Sequence, residues 1–155
     1  MREILFRAKR INYEKFPKEE WWIEGNAFIH DDRQTVDIAT GTEKFSINKR
    51  VIPETLCQYT GLKDKNGKRI WENDIVSCEH EKYPEDNPLE VYPLFTDPVK
   101  YNRNYAVEFI NTGSSYGYRL RNKSIHFMLT GNVIYNHNIE ILGNIFDNPE
   151  LLKGE

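Results

Sequence analysis

Cysteine, long apolar runs and a strong net charge are all scarce in this sequence. Two cysteines, Cys57 and Cys78, are too few for the disulfide framework of a small secreted domain. The apolar runs are only a few residues long, whereas a helix that spans a bilayer needs about 20 apolar residues. No stretch near the N-terminus resembles a signal peptide. We therefore expect a cytoplasmic protein with two reduced thiols and no membrane partner.

The overall charge does not indicate an anionic partner. The formal net charge is −3, from 21 basic and 24 acidic residues, so nucleic-acid binding would have to come from a local patch. Aromatic residues make up 13% of the chain and supply large apolar area for a core. A chain of 155 residues suits one globular unit. We predict a single domain over residues 1–155.

The spacings that mark metal, cofactor and catalytic sites are also missing. Cys78 and His80 form a lone Cys-x-His pair, whereas structural zinc sites use paired short spacings. A cysteine nucleophile needs an adjacent imidazole, and no local signature supports such a pair for Cys57 or Cys78. No phosphate loop or dinucleotide fingerprint is present. We therefore expect no enzymatic activity, no metal and no cofactor, and two buried, inert thiols.

Strand signals occupy the first fifty residues. Short stretches with apolar residues at alternate positions predict a meander, and the last two of these stretches form a hairpin through a turn at 40–42. The predicted strands are 3–11, 21–29, 35–39 and 43–47. The fold class we expect is mainly β, as a small open barrel or a strongly twisted antiparallel sheet with one or two short helical turns. An α+β fold is the alternative.

Residues 51–78 carry the densest set of turn and strand signals. Pro53 suits the first position of a helical turn, and Asn66-Gly67 favours a type I′ reversal between strands at 58–62 and 69–71. A second tight turn places Asn73 where a left-handed residue is expected, before a strand at 75–78. The backbone geometry of these turns accounts for the residue types found there, so we expect a structural role for the stretch.

Several motifs resemble the YopX family. They are PETL at 53–56, QYTGLKDKNGK at 58–68 and IWENDIV at 70–76, with REILFRAKR at 2–10 and ILGNIFDNPELL at 141–152. The resemblance implies a small protein encoded by temperate phages and prophages of Gram-positive bacteria, without established biochemical activity or catalytic residues to carry over. Cys57 and Asn73 depart from the family pattern, which is glycine-like there. Asn73 can keep the turn, whereas Cys57 puts a thiol where backbone freedom was expected.

Residues 79–98 form an acidic, proline-rich segment. Four of the seven prolines lie there, which excludes regular structure throughout. We predict a long, partly mobile loop or insertion, a kind of segment that often carries function.

Residues 99–138 combine basic and aromatic side chains and contain one acid, Glu108. Aromatic rings beside cations suit single-stranded nucleic acid, because bases stack on rings while cations meet phosphates. The alternative is a hairpin of 105–110 and 116–121 with aromatic residues inward and solvated cations outward. The candidate nucleic-acid-binding residues are Lys100, Arg103, Arg119, Arg121, Lys123, Tyr116 and Tyr118.

The C-terminal region predicts one more strand and one more turn. Residues 139–146 have apolar positions on both faces and indicate a central strand, and residues 124–129 fit either a strand or a helical turn. Asn148 is expected to cap a terminal turn that begins at Pro149. The predicted single domain thus divides into a meander at 1–50, a signature hairpin at 51–78, the proline-rich loop at 79–98 and a C-terminal part at 99–155.

Two functions follow as hypotheses. The first is a phage or prophage accessory protein that acts without catalysis, by contact with a protein partner or with itself. The second is a nucleic-acid-binding module that uses the basic aromatic segment 99–138.

Overall fold

The structure is a computed structural model that describes residues 3–42, 45–83 and 97–153. Eleven strands in two antiparallel sheets account for most of the described residues, with one short α-helix and several 3₁₀ turns. The predicted mainly β class is therefore confirmed. The described strands do not close a barrel.

The chain forms two compact units. The N-terminal unit comprises Met1–Lys63 and Arg69–Asn73, and the C-terminal unit comprises Asp64–Lys68 and Asp74–Glu155. The prediction of a single domain with four subdivisions is not tested by this description and stays a prediction.

The N-terminal unit contains a six-stranded sheet in the order β4-β3-β2-β1-β5-β6. An isolated bridge also pairs Arg10, just after β1, with Val51 at the end of β4. One hydrophobic core cluster of this unit consists of Ala8, Ile23, Val36, Ile38 and Val51. The strands are β1 (Phe6–Lys9), β2 (Trp22–Ile29), β3 (Val36–Thr42), β4 (Phe45–Val51), β5 (Cys57–Lys63) and β6 (Arg69–Trp71).

The predicted hairpin in this sheet forms, but its turn is placed differently. Residues 40–42 belong to β3 and pair with β4, so the turn predicted there is wrong, and the link at 43–44 lies outside the described residues. Gly41 has a φ of 115°, and a Cβ atom on it would lie 2.1 Å from the carbonyl oxygen of Phe45. This glycine therefore reflects close strand pairing.

The C-terminal unit contains a five-stranded sheet in the order β10-β9-β8-β7-β11. Its buried side chains include Val76, Cys78, Tyr105, Val107 and Leu120. Its elements are β7 (Asp74–Lys82), β8 (Val99–Asn111), β9 (Tyr116–Asn122), β10 (Ile125–Met128), the helix α1 (Gly131–Asn136), β11 (Glu140–Asn144) and a 3₁₀ turn (Pro149–Leu152).

The hairpin predicted from 105–110 and 116–121 is confirmed by the pairing of β8 with β9. The ambiguous stretch 124–129 forms β10. Strand β11 is an outer strand, so the prediction of a central strand at 139–146 is wrong. Leu142 on β11 is 44% exposed, so the apolar residues on both faces of this stretch do not reflect burial on both faces.

The local geometry around the signature motifs is largely as predicted. Pro53 begins a 3₁₀ turn, and Asn73 is left-handed with a φ of 67°. The chain reverses at Asn66-Gly67, but the predicted type I′ turn is wrong, because only Gly67 of the pair has a positive φ, at 80°. The backbone N–H of Gly67 donates to the Asp64 carbonyl at 3.0 Å. This is a type I turn followed by a left-handed glycine, the usual three-residue hairpin loop.

Two other predictions concern the C-terminal turn and the loop at 79–98. Asn148 makes no side-chain cap, because its Oδ1 accepts from the backbone N–H of Asn144 at 3.4 Å. Pro149 does begin the terminal turn. Of the predicted loop at 79–98, the first residues extend β7 to Lys82, and residues 84–96 lie outside the described part of the chain.

Candidate functional site

The seven predicted nucleic-acid-binding residues do not share one surface. Side chains alternate between the two faces of a strand, and Glu108 on β8 pairs directly with Arg119 on β9. Lys100, Arg119 and Arg121 therefore lie on one face of the C-terminal sheet. The register puts Arg103, Tyr116 and Tyr118 on the opposite face, whereas Lys123 lies in the turn between β9 and β10 with a φ of 50°.

Ion pairs neutralise much of the charge on the first face. Glu108 accepts from Arg119 Nε at 2.9 Å and from Arg121 Nη1 at 3.4 Å, and the hydrogen bond from Arg119 is the main reason that the pKa of Glu108 is lowered. Lys100 Nζ lies 2.8 Å from Glu79 Oε1, and this bond raises the pKa of Lys100. Lys100, Arg119 and Arg121 thus each have a carboxylate partner.

The two predicted tyrosines differ in accessibility. Tyr118 is 7% exposed and packs against Phe109, with ring centroids 5.3 Å apart, so no base can stack on it. Tyr116 is 72% exposed and meets the edge of the same Phe109 ring at 5.1 Å. Tyr116 is therefore the tyrosine of the pair that can contact a ligand.

The structure also assembles an aromatic and imidazole cluster that sequence reasoning missed. His80 stacks on Tyr101, with ring centroids 5.4 Å apart, and lies 5.2 Å from His137. The hydroxyl of Tyr105 is 3.1 Å from His80 Nε2, and the Phe127 ring is 5.2 Å from that of Tyr105. The β7–β8 register places His80 opposite Tyr101, and the residues joining these strands gave no means of predicting that register.

The contacts of this cluster stabilise the C-terminal unit. Tyr105 is 1% exposed, and burial raises the pKa of its phenol, so the group stays protonated and able to donate. His137 is also tied to the backbone, because its Nδ1 lies 2.9 Å from the carbonyl oxygen of Glu79. A substrate cannot reach the Tyr105 hydroxyl. We therefore assign the cluster a structural role in joining β7, β8 and the segment after α1.

An open cleft of about 590 Å³ lies on the C-terminal unit beside α1. It mixes charges of both signs, and its lysines are paired, Lys100 with Glu79 and Lys65 with Glu140, the latter at 2.6 Å. Its electrostatics therefore favour neither anions nor cations. Among the described residues, no group of three or more His, Cys, Asp or Glu side chains is placed to hold a metal ion.

Cys57 and Cys78 form no disulfide and are fully buried, and their burial is as predicted. The Cys57 Sγ lies 3.2 Å from the carbonyl oxygen of Thr55 and 3.5 Å from Asn73 Nδ2. Cys57 and Asn73, the two residues that depart from the glycine-like family pattern, thus lie in contact with each other. No helix in the described part of the chain is long and apolar enough to cross a membrane.

The two antiparallel sheets define a mainly β protein. The family model for the YopX protein matches residues 5–153, and the chain belongs to the YopX family. It is also similar to a crystal structure of protein EF1440 from Enterococcus faecalis, with a TM-score of 0.53 and 22% identity over 98% of this chain and 99% of that one. That likeness concerns the fold alone. We find no similar sequence among the curated proteins.

Proposed function

We propose that the protein is an accessory protein of temperate phages and prophages that works in the cytoplasm by binding a protein partner or a second copy of itself, without catalysing a reaction. Membership of the YopX family supports the phage association. The observation that carries the binding role is an apolar end on the outer strand β4.

Strand β4 is the outer strand of its sheet, and its two ends differ. Phe45 is 80% exposed and Ile47 is 63% exposed, and both side chains lie on the same face because they are two residues apart. The other end carries Lys49 and Arg50. Charged side chains normally keep an outer strand from pairing with other chains, whereas exposed apolar residues on such a strand are typical of association sites.

The proposal is tested by replacing the apolar end. We expect F45K/I47K to lose a partner that the unmodified protein retains in a pull-down from induced lysogens, or to convert a dimer to a monomer in light scattering. The control is Y135K, which replaces an aromatic side chain that is 85% exposed on the other unit and should change neither result. A monomeric protein that retains no partner would contradict the proposal.

Nucleic-acid binding through residues 99–138 is the second candidate. It is favoured by the placement of Lys100, Arg119 and Arg121 on one face of the sheet. Tyr116 is exposed at the end of the hairpin, on the opposite face. Glu108 competes with phosphate for both arginines. If this face is the binding site, R119A/R121A should weaken binding to labelled oligonucleotides at low salt and flatten its salt dependence. Unchanged binding by this variant would remove the candidate.

A further inference from the structure

A second cleft, on the N-terminal unit, is lined by basic side chains from two distant parts of the sequence. Arg10 and Lys15 come from the segment after β1, and Lys49 and Arg50 come from β4. The volume of the cleft is about 350 Å³, within the usual range for small-ligand sites. None of its described lining residues is acidic. The remainder of the lining is Ile11, Asn12, Phe16 and Asn48.

The fold explains why these segments meet. The Arg10–Val51 bridge joins them at one end, and the backbone N–H of Ile11 donates to the carbonyl oxygen of Arg50 at 3.2 Å. Asn12 then adopts a left-handed conformation, with a φ of 53°, and leads into a 3₁₀ turn at Tyr13–Lys15. The chain thereby leaves the edge of β4, and the cleft lies between the two segments.

The two arginines are held in position before any ligand arrives. The Arg10 guanidinium lies 3.4 Å from the centroid of the Phe16 ring, and its side chain is only 17% exposed. Arg50 donates through Nε to Asp37, and this bond is the main reason that the pKa of Asp37 is lowered. A pre-positioned guanidinium loses little side-chain entropy on binding, which favours phosphate recognition.

The two lysines supply charge that no described carboxylate neutralises. Arg10 is paired with Glu20 at 3.5 Å and Arg50 is paired with Asp37, whereas Lys15 and Lys49 have no ion pair within residues 3–42, 45–83 and 97–153. The four cations therefore outnumber the carboxylates bonded to them by two. The 590 Å³ cleft of the C-terminal unit differs in this respect, because both its lysines are paired.

We propose that this cleft binds a nucleotide segment of single-stranded nucleic acid. The basic side chains meet the phosphates, while Phe16 and the 42% exposed Ile11 contact a base or sugar. Positive charge combined with an aromatic surface is the arrangement that such ligands require. An acidic peptide would use the cations but not the ring. The site shares no residue with the segment 99–138 or with the apolar end of β4 at Phe45 and Ile47.

The test is a fluorescence anisotropy titration with a labelled oligothymidylate at two salt concentrations. Four phosphate contacts on a single strand predict that affinity falls about 50-fold between about 50 and about 200 mM salt. In K15A/K49A, two contacts remain, and the fall should be about sevenfold, with weaker binding at low salt. The matched control is K63A/K68A, which removes two exposed lysines outside the cleft and should keep the full salt dependence.

Other variants and probes separate the remaining explanations. R119A/R121A should bind as the unmodified protein does if the cleft is the site, and circular dichroism checks that each variant is folded. An abasic strand of equal charge and a polyglutamate peptide should both bind more weakly than the oligothymidylate. Three results would overturn the inference. They are an absence of binding at low salt, an equal loss of affinity in K15A/K49A and K63A/K68A, and binding of the abasic strand or the polyglutamate peptide as tight as that of the oligothymidylate.

Discussion

Replacing Asp64 should destabilise the C-terminal unit more than its place in a charged turn suggests. The side chain is 5% exposed, and its two carboxylate oxygens serve different parts of the unit. Oδ1 accepts from the backbone N–H groups of Asn66 and Lys68, each at 2.9 Å, and Oδ2 accepts from that of Ile141 at 3.2 Å. One carboxylate therefore shapes the signature turn and attaches it to β11.

The expected loss follows from the three donors. A donor left without a partner costs about 1–3 kcal/mol when buried, and the lower end applies to Asn66 and Lys68 because these residues are exposed and can bond water. We expect D64A to lower the free energy of unfolding by about 3 kcal/mol, or the melting temperature by about 6–12 °C. D64N keeps one acceptor oxygen and should lose less.

Far-UV circular dichroism with urea measures this loss, and hydrogen exchange at the Ile141 amide should become faster in D64A. The matched control is D32A. Asp32 also accepts three hydrogen bonds, from the Gln34 and Thr35 backbone N–H groups and from the Thr35 hydroxyl, but on an exposed loop. Water can replace those bonds, so the loss of unfolding free energy in D32A should be smaller than in D64A. If D64A is no less stable than D32A, burial does not make the hydrogen bonds of Asp64 more costly to lose, and the reasoning is refuted.

Three further results are expected. N73A should lower stability by about 1–2 kcal/mol in a urea titration, because alanine is strained at a φ of 67°, whereas N73G should not; equal losses would exclude backbone strain as the reason. G25A should fail to give folded protein, because the new Cβ atom would lie 2.0 Å from the Ala39 carbonyl oxygen, while G131A, with no atom within 4 Å, should fold normally. Hydrogen bonds from Thr35 and Gln34 lower the pKa of Asp32 from 3.8 to about 2. The stability that this group contributes is therefore complete above about pH 3.8 and is lost as the pH falls towards 2. An NMR titration that gives this carboxyl a pKa near 3.8 would contradict the expectation.

The predictions that succeeded depend on neighbours a few residues away. The reversal at Gly67, the left-handed Asn73 and the 3₁₀ turn at Pro53 follow from the backbone preferences of those residues. The type I′ assignment failed because an Asn-Gly pair also suits a type I turn with a left-handed glycine, and Asp64 stabilises that form by accepting from Asn66 and Lys68.

The predicted site residues show where local reasoning ends. Composition indicated cations near tyrosines in 99–138, but strand alternation and register divide them between two faces of the sheet. The pairing of Glu108 with both Arg119 and Arg121 also depends on that register. A sequence pattern can show that charges are close along the chain, whereas their neutralisation depends on which strands pair.

The sequence by itself determined the mainly β class, the local geometry at Pro53, Gly67 and Asn73, the C-terminal hairpin and membership of the YopX family, because short-range backbone preferences and motifs carry that information. Only the tertiary structure decided that β11 is an outer strand, that His80 lies against Tyr101 and Tyr105, and that the cleft brings Arg10 beside Arg50. These features need contacts between residues some 20 to 70 positions apart, and such contacts are selected by burial and strand register over the whole sheet.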